Sequence, residues 1–283
     1  MAGTVYLNGQ WLPAAQAQVS VFDRGFLFAD GVYEVIPVYG GRAFLLDEHL
    51  ARLQRSLQAI GIDGNDAPSW PTCIAQLIAK NKLEHGTVYL QITRGSSNQR
   101  THLPTGSLQP TILLMTQSAP LHWGTPVPAK AALLEDIRWL RCDIKSISLL
   151  GSILLKQSAQ EQHAIEPMLH RDGTITEGAA SNYFGVKNGV LYTAPANHLI
   201  LAGITRNWVL KLARGSDIEV REEAFRVDEL SQLDECFLTS TSREVQPIGR
   251  IDDIIINSGG CGPITQQLIE AFHNSKRHHL GMQ

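Results

Sequence analysis

The sequence predicts an α+β protein made of two mixed α/β domains, and three observations carry that expectation. Strand-like segments are joined mainly at tight-turn dipeptides, Asn8-Gly9, Gly40-Gly41 and Asn188-Gly189. They do not alternate regularly with helices, which favours mixed sheets over a doubly wound fold. Apolar residues at spacings of three and four mark helices among the strands. A stretch holding Pro120, Pro126 and Pro128 then divides a chain of 283 residues, a length that suits two modest domains. The expected division is a domain over 1–119, a linker over 120–128 and a second domain over 129–283.

In the first half, "TVYLNGQWL" reads as a hairpin, and "GVYEVIPVY" and "RAFLLD" flank a second turn at Gly40-Gly41. Leu46, Leu50, Leu53, Leu57 and Ile60 share one face of a helix, with Asp47 as its expected N-cap and Gly61 as its stop. A second helix is expected from about Ser69 to Leu83, with Ile74, Leu77 and Ile78 inward, followed by strands "TVYLQITRG" and "PTILLMTQ". In the second half, "AALLEDIRW", "EPMLHR", "NYFGVKNGVLYT" and "ECFLTST" read as strands. "LLGSILLKQSAQEQHA", "GITRNWVLKLAR" and "PITQQLIEAFHNSK" read as helices.

Composition narrows the function classes. Hydrophobic residues make up 43% and charged residues 18%, enough to fill a core. A net charge of −3 gives no reason to expect nucleic acid or an anionic membrane as partner. Cys73, Cys142, Cys236 and Cys261 form no C-x-x-C pair and predict reduced thiols. The opening "MAGTVYLNGQW" lacks the basic start and apolar core of a signal peptide, and "ISLLGSILL" is too short to cross a bilayer. A cytoplasmic location is expected, and no metal.

Four stretches could carry chemistry. Lys145 stands between Ile144 and Ser146, ahead of an apolar run. It is either a surface lysine that reaches water or a Schiff-base lysine, whose amine becomes nucleophilic when burial strips its hydration. Glu177 in "TITEGAASNYFGV" is either a turn acid capping a backbone amide or a carboxylate able to face a pyridine nitrogen. Gly203, Ile204 and Thr205 open a helix whose free N–H groups suit a phosphate. Ser240 and Thr241 in "LTSTSRE" add hydroxyls, or make an ordinary polar turn. Arg100 and His102 in "TRGSSNQRTHLP" lie two apart, so an extended segment points both at one anion. The plain alternative for them is a solvated loop.

Together "EDIRWLRCDIKSISLLGSILLKQSA", "HRDGTITEGAASNYFG", "PANHLILAGITR" and "FLTSTSREV" resemble the signature segments of fold-type IV pyridoxal-phosphate enzymes. "DRGFLFADGVYEVIPVY" and "EHLARLQRSL" resemble that family's N-terminal domain, so the likeness runs from about residue 4 to 275. It implies pyridoxal 5'-phosphate in the cleft between two domains, carried on Lys145, with Glu177 at the ring nitrogen and Leu201 against the ring. Arg52, Ile204, Thr205, Ser240 and Thr241 would hold the phosphate, and Arg138 would join the polar network around Glu177 or the lysine loop. "RTH" is similar to the Arg-x-His pair of the D-amino-acid aminotransferases, so Arg100 and His102 would bind the substrate carboxylate, and Tyr33 would line the substrate side with them. The implied reaction moves the amino group of a D-amino acid, of the D-alanine or D-glutamate type, to a 2-oxo acid such as 2-oxoglutarate. The implied assembly is a homodimer in which Arg100 and His102 serve the neighbouring subunit. A branched-chain L-amino-acid or R-amine transaminase and a non-catalytic pyridoxal-phosphate protein are the alternatives. Ala179 and Ala180 depart from the family's serines, which puts the hydrogen bonding around the ring in question.

Overall fold

The computed structural model describes residues 3–63, 69–104 and 106–282. The chain forms two compact units. The first is the chain up to His122 together with Ile144–Ser148, and the second is Trp123–Asp143 with the residues from Leu149 onward. Beside the expectation of 1–119, a linker over 120–128 and 129–283, these units also place Ile144–Ser148 with the N-terminal residues. The five residues around Lys145 group with the N-terminal unit because Ser146 bridges Val32 and the Tyr33 N–H donates to the Lys145 carbonyl at 3.0 Å.

The first unit contains β1 (Thr4–Leu7), β2 (Gln10–Pro13), α1 (Arg24–Phe28), β3 (Gly31–Tyr39), β4 (Arg42–Ala43), α2 (Leu46–Ala59), α3 (Trp70–Lys80), β5 (Gly86–Thr93) and β6 (Thr111–Ser118). Among the described residues its strands form one antiparallel sheet in the order β2-β1-β6-β5-β3-β4. Asn8 (φ 47°) and Gly9 (φ 88°) turn the first hairpin, as the sequence predicts. Leu53 and Leu57 of α2, with Ile74, Leu77 and Ile78 of α3, join Ile36, Val88, Leu90 and Leu114 of the sheet in one buried core.

Two helix ends differ from expectation. The N-cap of α2 is Leu45, left-handed at φ 53°, and Asp47 lies inside the first turn, where with Glu48 it meets the positive end of the helix dipole. α3 stops at Lys80 rather than near Leu83 because Lys82 turns left-handed (φ 49°) and the Leu83 N–H returns to the Ile78 carbonyl. Helix α1, five residues long, is too short to leave a periodic signal.

The second unit contains β7 (Ala129–Glu135), α4 (Leu150–Glu161), β8 (Glu166–Arg171), β9 (Thr174–Ile175), β10 (Asn182–Lys187), β11 (Val190–Thr193), α5 (Ile204–Gly215), β12 (Val220–Arg221), β13 (Glu235–Ser240), β14 (Glu244–Ile251), β15 (Ile254–Ile255) and α6 (Pro263–Leu280). Its sheet runs β12-β11-β10-β13-β14-β7-β8-β9, with β15 on β14, and mixes parallel with antiparallel pairs. Met168, Tyr183, Leu238, Ile248 and Ile251 lie in its core. β7 ends at Glu135, short of the expected Trp139, because Asp136 turns to meet Arg138. The α+β class predicted from sequence is the class observed. No helix among the described residues is long and apolar enough to cross a membrane.

Candidate functional site

In the first unit, the chemistry gathers on one end of β3. Gly31 allows Ile144–Ser148 to lie alongside it, since an added Cβ would crowd the Ile92 carbonyl and the Ile147 side chain. The lysine segment is then pinned at several points. The Lys145 N–H donates to Ser56 Oγ at 3.3 Å, its carbonyl accepts from Tyr33, and the Ile147 N–H donates to the Gly31 carbonyl at 3.1 Å. The side chain is half-buried, and Nζ lies 4.2 Å from the centroid of the Tyr33 ring. Tyr33 in turn stacks on Tyr89 at 5.7 Å. The structure thus brings together Lys145 and Tyr33, which the sequence singled out separately.

Successive residues of a strand face opposite ways, so Tyr33 and Glu34 point apart. Glu34 is fully buried (0% exposed) and takes Arg52 in a two-pronged pair, Nε to Oε1 at 2.7 Å and Nη2 to Oε2 at 2.8 Å. His49 Nδ1 sits 2.8 Å from the same Oε2. Burial alone would raise the Glu34 carboxyl, but the Arg52 charge and the hydrogen bonds from Arg52 and His49 outweigh it and hold its pKa at about 2. Desolvation pushes His49 down. Sequence reasoning singled out Arg52 and missed Glu34 and His49. The available signals were an acid inside the apolar run "GVYEVIPVY" and a His and Arg three apart on one helix face. Glu34→Gln keeps the shape and removes the charge from this buried pair. It is expected to destabilise the protein by about 1–3 kcal/mol in urea unfolding, and no change in midpoint would mean the pair contributes nothing net.

Arg100 and His102 gather on Phe28. The Arg100 guanidinium lies 5.1 Å from that ring, and the His102 ring meets it edge-on at 5.6 Å. Both side chains are exposed. Their backbone is clamped by buried Arg24, whose Nη1 donates to the Thr101 carbonyl at 2.7 Å and Nη2 to the His102 carbonyl at 2.6 Å. Arg24 Nε also donates to Asp30, which accepts from Arg94 as well. Arg24 left no signal in sequence, because its role depends on residues 77 and 78 positions away.

In the second unit, Asn182 at the start of β10 organises the rest. Its Nδ2 donates to Glu177 Oε2 at 3.1 Å and to the Leu201 carbonyl at 2.9 Å. Glu177 is 3% exposed, and it also accepts from the Leu201 N–H at 2.9 Å and from Arg138 Nη1 at 2.9 Å. Arg138 is set by Asp136, which accepts from its Nε and Nη2 at 2.9 Å each. Burial raises the Glu177 carboxyl to about 7 against the pull of Arg138. Desolvation works against the Arg138 charge, but its two carboxylate partners raise its pKa and keep it cationic.

Asn182 also fixes the neighbouring donors. Gly203, the N-cap of α5, packs so close that an added Cβ would collide with Asn182 Oδ1, and no side chain caps the helix. Ile204 and Thr205 are its first two residues, both buried. Thr239 pairs with Asn182 across β10 and β13, which puts the Ser240–Thr241 turn next in line. The buried Thr239 Oγ1 finds no partner among the described residues. The turn with Ala179 and Ala180 holds without serine hydroxyls there: Glu166 Oε1 accepts from the Ala180 N–H at 2.8 Å and from Ser181 Oγ at 3.0 Å.

Each unit taken by itself suits part of pyridoxal 5'-phosphate. The second supplies a buried carboxylate held by several donors, an uncapped helix N-terminus and an orphaned buried hydroxyl beside hydroxyl-bearing residues. The first supplies an amine with its main chain fixed.

Residues 31–251 match the family model described as amino-transferase class IV. The chain is 42% identical over 274 residues to a D-alanine aminotransferase of Staphylococcus aureus, covering 95% of this chain and 96% of that one. It is 42% identical over 275 residues to a D-alanine aminotransferase of Bacillus licheniformis, covering 96% of each. Among solved structures, a T.th. branched-chain amino acid aminotransferase with pyridoxamine 5'-phosphate shares the fold, with a TM-score of 0.92 at 24% identity over 100% of this chain and 96% of that one.

Proposed function

Because the chain belongs to the class IV aminotransferases, we propose that it transfers the amino group of a D-amino acid, D-alanine or D-glutamate in type, to a 2-oxo acid such as 2-oxoglutarate. Pyridoxal 5'-phosphate, when bound, supplies a carbonyl carbon that takes up the amino group and a ring that draws electrons from the substrate Cα–H bond. Lys145 would hold the cofactor through its amine and would carry a proton between the substrate α-carbon and the cofactor carbon. Glu177 holds a proton at the ring nitrogen, and Arg138 and Asn182 orient its two oxygens. Leu201 would pack against the ring. Arg52, Ile204, Thr205, Ser240 and Thr241 bind the phosphate. Arg100 and His102 bind the substrate carboxylate, and Tyr33 lines the substrate side.

The observation that carries this reading is the lysine segment: main chain fixed on β3, Nζ over Tyr33. The D-substrate is supported by the Arg-x-His pair and by relatives named D-alanine aminotransferase at 42% identity, against 24% for the branched-chain enzyme. A half-reaction screen tests it. D-amino acids, L-amino acids and R-amines are each mixed with holoenzyme and followed by absorbance. A spectral change with D-alanine is expected to be much faster than with L-leucine or an R-amine, and the reverse order would transfer the assignment to the branched-chain or R-amine class.

A homodimer is part of the proposal. Val19, Val21, Phe22, Phe26 and Leu103 are large exposed apolar side chains, and Ser97 N–H to the Phe22 carbonyl ties the first stretch to the Arg100 loop. A reducing, cytoplasmic setting is supported by the free thiols of Cys73, Cys142, Cys236 and Cys261.

Glu177 makes a pH prediction. Its folded pKa of about 7 lies above the ordinary 4.5, so the protonated form is favoured in the fold. The associated stability is fully present below pH 4.5 and is lost as pH climbs through 7, a difference of roughly 3 kcal/mol. Cofactor-free Glu177→Gln is expected to lack this decline. Urea unfolding of both proteins at the two ends of the window measures it, and parallel curves would refute the shift.

A further inference from the structure

We propose that Lys276, far along α6, is a positioning residue for the cofactor phosphate, acting through Glu244 on the turn that presents Ser240 and Thr241. The inference rests on the reading of that turn as part of the phosphate site. Ser240 ends β13 and pairs in register with Glu244, the first residue of β14, so three residues close the hairpin. The residue that follows these three, Glu244 at the start of β14, is left-handed at φ 55°, a conformation that suits glycine. An L side chain is strained in that conformation, so the rest of the structure must hold it there.

The Glu244 side chain supplies the hold. Its Oε2 lies 2.6 Å from Lys276 Nζ, and Lys276 is 0% exposed. Nζ also lies 4.7 Å from the Trp123 ring and 5.9 Å from Phe272. His273 Nε2 lies 3.9 Å from the same carboxylate oxygen, and the Arg277 guanidinium lies 5.4 Å from Trp123. Burial disfavours the lysine's charge, and the Glu244 carboxylate opposes that effect. Removing either partner takes away this charged contact. The geometry being held matters locally, because Ser240 Oγ accepts from the Arg243 N–H at 3.1 Å across the same turn. The hydroxyl direction therefore follows the turn's shape.

The test removes the ion pair twice and changes only the backbone demand. Lys276→Met is combined with Glu244→Gly in one protein and with Glu244→Ala in another. Release of pyridoxal 5'-phosphate from each holoenzyme is followed by absorbance after rapid gel filtration, beside thermal unfolding. The alanine double variant is expected to release cofactor about tenfold faster than the glycine one, because only glycine takes the left-handed turn freely. The glycine double variant is expected to stay within about twofold of the parent. Equal release from the two double variants overturns the proposal. So does a Lys276→Met protein that melts earlier but keeps its cofactor as the parent does. Thr241→Ala separates the two readings. It is expected to speed release, and if it does not, the phosphate assignment of the turn has itself failed.

Discussion

Lys145→Ala is expected to lower transamination of D-alanine by at least ~10³-fold, since a positioned proton carrier alone contributes about 10²–10⁴-fold and the covalent anchor is lost with it. The fold should survive the change. The segment is held by backbone groups, through Ser56 Oγ on the Lys145 N–H and the Tyr33 N–H on its carbonyl, and alanine keeps both. Near-parental melting with lost turnover would therefore place the defect in the amine. Borohydride reduction of the parental holoenzyme, followed by peptide mapping, gives the direct measurement: the pyridoxyl group is expected on Lys145. The two lysines nearest in sequence are already engaged elsewhere, Lys130 with the Gln162 carbonyl at 2.9 Å and Lys156 with Glu166 at 3.3 Å. A pyridoxyl group found on either would overturn the assignment.

What sequence could and could not reveal follows from the range of each interaction. Strand pairs closed by Asn8-Gly9 or Gly40-Gly41 were legible because the turn chemistry is local. So was the apolar face of α2, from Leu53 and Leu57. Helix ends were less so: Leu45 and Lys82 adopt left-handed conformations that neither residue type signals. The lysine segment's place in the N-terminal unit was invisible, because the bridge from Ser146 to Val32 spans more than a hundred residues. The same reason hid Arg24, which acts through carbonyls 77 and 78 positions away, and a local pattern carries no trace of that. Glu34 lies between these cases. A carboxylate inside a buried strand needs a cation, and Arg52 was in plain view, but their pairing depends on how α2 lies on β3.

Arg100→Ala is expected to cost about 2–5 kcal/mol toward D-alanine, roughly 30- to several-thousand-fold in rate or binding, because it removes one side of a charged contact. Toward an amine without a carboxylate the loss should be far smaller, so the ratio of the two rates is the measurement, and equal losses would mean that Arg100 does not meet the carboxylate. The side chain is free to do this at no cost to the fold. It is exposed, it rests on Phe28, and Arg24 fixes the loop through the Thr101 and His102 carbonyls rather than through Arg100. Its exposure, with Phe22, Phe26 and Leu103 exposed in the same unit, is also the reason to expect that it serves a second copy of the chain. A mixed dimer decides that point. Combining Lys145→Ala subunits with Arg100→Ala subunits produces heterodimers carrying both lesions. If Arg100 acts across the interface, both lesions fall on one site and the other site is intact, so activity appears on mixing two inactive proteins. If Arg100 acts within its own subunit, each site carries one lesion and mixing restores nothing although heterodimers form.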